Sequence, residues 1–296
     1  MSIETESILM KLTRAINEKN FEDEDELEDF VDQFMLKYNE EINRGRFDKE
    51  SYDYLALAEK TNNPDEAIEY AKKALQADPY LLDAELVIAY IKSKTAEDLK
   101  KYLEEIIARG EKQLAERNIS KKDDEGDFYL IFETRAYMRV RKEYLEVLVK
   151  QGRYRNAIKE AEELLRLNEK DNMGVRYDLM ALYCLLEEED KMKALWEKYP
   201  EDSAFILLPF ITLYYKMENT TKMKTYIKKL TELIEGVPLA LEMILADNQE
   251  VISKAARIGK YIPLSLEEVI AAYAGASYLY KPMIGFIKEV YNEVIS

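Results

Sequence analysis

Apolar side chains recur three and four positions apart along most of this chain, the spacing that gives a helix one buried face. Residues 2–18 place Ile3, Ile8, Leu9, Leu12, Ala15 and Ile16 in such a pattern. The next stretch, FEDEDELEDFVDQFMLKYNEE, sets many carboxylates around Leu27, Phe30, Val31, Phe34 and Met35. Acidic residues near a helix start favour its dipole, so this reads first as a capped, solvated helix and second as a face for a basic partner. The segment from Asp127 to Tyr177 organises the rest. Its pattern predicts a long helix, a tight turn at Gly152, a second helix and the start of a third, with hairpins on either side stacking on it.

Between Lys49 and Pro79 the hairpin pattern is sharpest. Tyr52, Tyr54, Leu55, Leu57 and Ala58 belong to a first helix, and NNPDEAIEYAKKALQADP supplies a second. Asn63 is expected to cap that second helix, Pro64 to occupy its first position and Glu66 to complete a capping box. Ala67, Ala71 and Ala74 are small enough to let a neighbouring helix approach closely. On Asp65, Glu66, Ala67, Ile68, Ala74, Leu75, Asp78 and Pro79 the segment resembles a tetratricopeptide repeat. A second unit, LLDAELVIAYIKSK, leads through a turn at Thr95 into a longer helix, and ISKKDDEGD reads as an exposed loop. In repeat phase Gly152, Tyr154 and Ala157 turn the chain and pack its helices, and Arg176, Leu179 and Leu182 follow one repeat later. The segment KMKALWEKYP is a shortened second helix, and residues 204–234 give another pair. In the tail, DNQEVISKAARIG and SLEEVIAAYAGASYLYKPMIGFIKEVYNEV are expected helices, the second with a Ser265–Glu268 capping box.

The expected fold is all-α: a right-handed superhelical stack of tetratricopeptide-like helical hairpins with helical caps. The pattern divides it into an acidic cap over 1–47, repeats over 48–235 and a second cap over 236–296. Two further stretches, FETRAYMRVR at 132–141 and NEKDNMGVRY at 168–177, carry a narrower likeness. Through Glu133, Thr134, Arg135, Tyr137, Met138 and Arg139, and through Asp171, Asn172, Gly174, Arg176 and Tyr177, they resemble the paired motifs of bacterial tetratricopeptide proteins related to the suppressor-of-tumorigenicity family. Ala136 stands where that family has Pro and Met173 where it has Gln. The resemblance implies a helical-repeat protein. The short cysteine-and-histidine zinc segment of some relatives has no counterpart in this chain, so no metal is implied.

Composition narrows the function. Gly (9) and Pro (7) are scarce, as suits packed helices and short turns. A net charge of −16 argues against binding nucleic acid or an acidic membrane surface, which need a basic field. No apolar run is long enough to span a bilayer, the amino-terminal stretch lacks the apolar core of a secretory signal, and the single cysteine, Cys184, fits a reducing cytoplasm. Histidine is absent, which removes the commonest general base and the commonest zinc ligand. Cys184 sits among apolar neighbours with nothing to activate it and reads as an inert packing thiol.

The candidate site is basic. Arg135, Arg139 and Lys142 share one face of the long helix. Arg139, Lys142 and Arg176 fall at first-helix positions that line a solenoid's concave groove, with Tyr183 and Tyr215 expected nearby. Guanidinium forks beside aromatic rings suit an acidic group on a peptide or protein. The competing structural reading is that Arg135 and Arg139 pair with Glu133, Asp171 or Glu143 and brace adjacent helices. The expected function is a non-catalytic protein- or peptide-binding scaffold without cofactor or metal. The alternative is an all-α enzyme or sensor that takes a small anionic ligand at the same groove.

Overall fold

The computed structural model describes residues 3–19, 21, 23–43, 50–247, 250, 252 and 262–295. The protein is all-helical: among the described residues no strand forms, and Asp127 and Asn168 make an isolated antiparallel bridge. No described helix is long and apolar enough to cross a membrane. The chain divides into two compact units, Met1–Ser120 with Phe132–Tyr144, and Lys121–Ile131 with Leu145–Ser296.

The first unit holds α1 (Ile3–Asn17), α2 (Glu24–Asn43), α3 (Ser51–Lys60), α4 (Pro64–Ala77), α5 (Leu82–Lys92) and α6 (Ala96–Glu116), with the first part of α7 (Arg135–Lys150). Helices α3 and α4 form the hairpin that the apolar pattern predicts. Tyr52, Leu55 and Ala58 meet Ala71 and Ala74, and Leu81 and Ala84 join the same core. Asn63 caps α4 as expected, its side-chain oxygen accepting the Asp65 N–H at 3.0 Å. The capping box expected with Glu66 does not close. Its carboxylate accepts the Thr61 hydroxyl at 2.9 Å, because that hydroxyl faces the first turn and also accepts the Asn63 N–H at 3.2 Å. At the next turn Thr95 and Asp98 do make the reciprocal pair, which starts α6.

Gly110 lets α6 sit against its neighbours. A Cβ there would lie 2.8 Å from both Leu82 Cδ1 and Tyr137 Cδ2, two buried side chains with no room to retreat. Helix α7 starts later than the pattern suggests. Residues 128–130 and 132–134 form two short 3₁₀ turns separated by Ile131 in an extended conformation, and α-helix begins at Arg135.

The second unit holds the rest of α7, then α8 (Tyr154–Leu167), α9 (Val175–Leu185), α10 (Glu189–Lys198), α11 (Ala204–Lys216), α12 (Thr220–Leu233), α13 (Val237–Leu245), α14 (Leu266–Gly275), the short α15 (Ser277–Tyr280) and α16 (Ile284–Ile295). Gly152 turns the chain between α7 and α8 at a φ of +69°, where a side chain would be strained. The loop before α7 is pinned rather than loose. The Gly126 N–H donates to the Arg166 carbonyl at 3.1 Å, the Glu169 N–H donates to the Gly126 carbonyl at 2.8 Å, and Arg166 pairs with Glu125 and Glu163.

Helix α11 is buried along almost its whole length and packs on α9, α12 and α14. Cys184 lies in this interior with its thiol directed at the Pro209 carbonyl at 3.2 Å, and burial pushes it up to about 12, so it stays a protonated packing group. The tail closes through α13, α14 and α16. Only half of the Ser265–Glu268 capping box forms: Ser265 Oγ accepts the Glu268 N–H at 3.4 Å. The Glu268 carboxylate is drawn elsewhere, accepting the Leu264 N–H at 2.8 Å and the Ala204 N–H at 2.6 Å. It thereby satisfies an orphan donor in the first turn of α11 from a distant helix. The helix expected over 247–259 lies, apart from Asp247, Glu250 and Ile252, outside the described residues.

Candidate functional site

The six residues singled out by sequence fall into two sets, Arg135, Arg139 and Lys142 in the first unit and Arg176, Tyr183 and Tyr215 in the second. Arg139 makes a fork-on-fork pair with Asp83 in the first turn of α5. Its Nε donates to Oδ1 at 2.7 Å and its Nη2 to Oδ2 at 2.6 Å. The Asp83 side chain is 5% exposed and Arg139 23% exposed. The pair therefore bridges α5 and α7. Of the three partners considered for the arginines from sequence alone, none is Asp83. Glu143 instead accepts a hydrogen bond from the Tyr90 hydroxyl. The Arg135 guanidinium lies 5.5 Å over the Phe132 ring, and Lys142 is half-buried about two turns further along α7.

Arg176 repeats this bracing in the second unit. Its Nη1 donates to Asp171 at 2.8 Å and its Nη2 to Glu201 at 2.7 Å, which ties the start of α9 to the loop that leads into α11. The whole stretch is one capping device. Asp171 adopts a left-handed conformation, φ 47°, and its buried carboxylate accepts the backbone N–H groups of Val175 at 2.7 Å and Arg176 at 3.0 Å. Gly174 supplies the second positive φ, +67°, that lets the loop turn back. Tyr177 donates to Glu201 at 2.8 Å and stacks under the Arg176 guanidinium, 4.2 Å away. Burial pushes the Asp171 carboxyl above the ordinary range, against the pull of those donors. Burial acts on Glu201 in the same sense, but bonds from Arg176 and Tyr177 prevail and hold it below its ordinary value.

The tyrosines are structural in the same way. Tyr183 is 6% exposed and donates its hydroxyl to Glu162 at 2.7 Å, and Tyr215 packs its ring 4.8 Å from Phe286. In the motif at 132–141, Thr134, Tyr137 and Met138 are fully buried, and Tyr137 donates to Glu111 at 3.0 Å.

Sequence reasoning missed Asp83, Glu201 and Glu268 as partners. An acid inside the apolar run LLDAELVIAY was the one signal that pointed at Asp83. It also missed a cleft of about 240 Å³ in the first unit, whose lining includes Tyr52, Asp78, Tyr80, Arg117, Phe132 and Glu133. No cluster of three or more His, Cys, Asp or Glu side chains that could hold a metal occurs among the described residues.

No protein-family model matches the chain, and no curated protein matches it. The resemblance carried by residues 132–141 and 168–177 thus stands on those two motifs.

Proposed function

We propose that this chain is a non-catalytic recognition scaffold, a stack of tetratricopeptide-like helical hairpins whose groove takes a peptide or protein segment bearing an acidic group. The observation that carries this reading is a pair of arginine braces: Arg139 ties α7 to Asp83 at the start of α5 in one unit, and Arg176 ties the start of α9 to Asp171 and Glu201, in the loops before α9 and α11, in the other. Such pairs fix the spacing of a helical surface in advance of binding, which lowers the ordering cost of recognition. In this reading Arg139 holds the surface of the first unit, where Arg135 and Lys142 on the α7 face meet the acidic partner, while Arg176, Tyr183 and Tyr215 order the second unit.

The test is an array of short acidic peptides, each beside its Asn/Gln-substituted counterpart, probed with the full chain and with an Arg135→Glu, Lys142→Glu variant. Acidic peptides should be retained selectively, and the variant should lose about tenfold or more of that affinity. Equal retention by the variant, or no preference for the acidic set, sinks the proposal.

A further inference from the structure

The cleft in the first unit has an apolar floor and a rim that carries both signs of charge. Tyr52 and Leu81 form the floor at 5% and 2% exposure, and the Phe132 ring stands 6.0 Å from that of Tyr52. Tyr80, 41% exposed, stands at the edge with the Arg117 guanidinium 4.6 Å over its ring. Glu133 is exposed in the last 3₁₀ turn before α7. Among the described residues neither Arg117 nor Glu133 enters an ion pair, although both line this one small space.

We propose that the cleft binds a single free amino acid with an apolar or aromatic side chain. At about 240 Å³ it lies below the ~300–1,000 Å³ typical of drug-sized ligand pockets, which suits one residue rather than a length of peptide. The apolar floor takes the side chain. At the rim the Arg117 fork takes the α-carboxylate, and Glu133 accepts from the α-ammonium. Stacking on Tyr80 holds the guanidinium plane, so little ordering is needed when the carboxylate arrives.

Other ligand classes answer fewer of these features. A purely cationic ligand would meet aromatic faces already covered, Tyr80 by Arg117 and Phe132 by Arg135. A purely anionic one would leave Glu133 facing like charge. The zwitterion uses both. This inference is independent of the scaffold reading, since it depends on Arg117 and Glu133 rather than on the α7 cations.

The experiment is calorimetric titration of the full chain with L-phenylalanine and L-leucine, beside 3-phenylpropionate, which lacks the ammonium, and phenethylamine, which lacks the carboxylate. L-Phenylalanine should bind saturably at one site, at least about tenfold (~1.4 kcal/mol) tighter than either single-charge analogue. Arg117→Gln should erase the advantage over phenethylamine, and Glu133→Gln the advantage over 3-phenylpropionate. Both side chains are exposed, so both variants are expected to unfold in urea as the wild type does. No saturable binding of either amino acid, equal binding of all the probes, or discrimination that survives both substitutions overturns the proposal. Acidic-peptide binding retained by variants that lose the amino acid would leave the scaffold reading intact.

Discussion

Arg139→Met removes the guanidinium and keeps much of the aliphatic volume, which leaves the Asp83 carboxylate buried with its two strongest donors gone. Stripping one partner from a buried pair costs about 3–5 kcal/mol. Arg139 is 23% exposed against 5% for Asp83, so water can reach part of the vacated space. The expected loss is therefore about 2–4 kcal/mol. Followed by circular dichroism in urea, that is a fall in midpoint of about 1 M for an m-value of ~2–3 kcal/mol/M. The double variant Asp83→Asn, Arg139→Met removes both charges and should recover part of the loss, with a coupling of about 1–3 kcal/mol between the sites. A single-variant loss under about 0.5 kcal/mol, with additive effects in the double, would refute the brace and return Arg139 to the pool of residues able to hold a ligand.

Glu268→Ala should be the costlier of two substitutions at its site, by a related logic. It strips the acceptor from the Ala204 and Leu264 N–H groups, for a loss of about 3–5 kcal/mol in urea unfolding, whereas Glu268→Gln keeps one acceptor and should lose less than half of that. Equal losses would mean that packing, not hydrogen bonding, decides the position. Glu189 should give the protein an acid-side dependence. Lys193 most of all, then Lys222 and the Tyr214 hydroxyl, hold its carboxyl down at about 2. The stabilisation is complete above the ordinary value near 4.5 and is lost as pH falls through about 2. Allowing for solvent screening, it is worth about 1 kcal/mol, and Glu189→Gln should abolish that part of the slope in acid unfolding. An unchanged slope would assign the acid dependence to other carboxylates.

Most of the helices were legible because each is an amphipathic pattern that neighbouring residues write for themselves, and the buried α11 because its apolar run is too long for a strand. The α3–α4 hairpin, the Asn63 cap, the Gly152 turn and the inert Cys184 all depend on residues a few positions apart or on an apolar setting visible in the chain. Local chemistry failed where a competitor stood close by, as when Thr61 took the Glu66 carboxylate, and where an extended Ile131 split the start of α7. The Ser265–Glu268 box shows the boundary within one residue pair. Its serine half formed from local geometry, while its carboxylate went to a helix start 64 residues away.

The candidate site lay mostly beyond that boundary. Sequence alone determined that the protein is helical, that Arg135, Arg139 and Lys142 share a face, and that Asp171, Gly174 and Arg176 mark a turn into a helix. Tertiary structure decided what those groups do. The Arg139–Asp83 pair spans 56 residues and the Arg176–Glu201 pair 25, and no periodicity records which carboxylate a folded chain will bring beneath which guanidinium. The cleft draws its lining from separate stretches between Met10 and Ala136, so its apolar floor and two-signed rim exist only after those helices pack. Backbone pattern is a property of neighbours in sequence, whereas charge pairing and cavities are properties of neighbours in space.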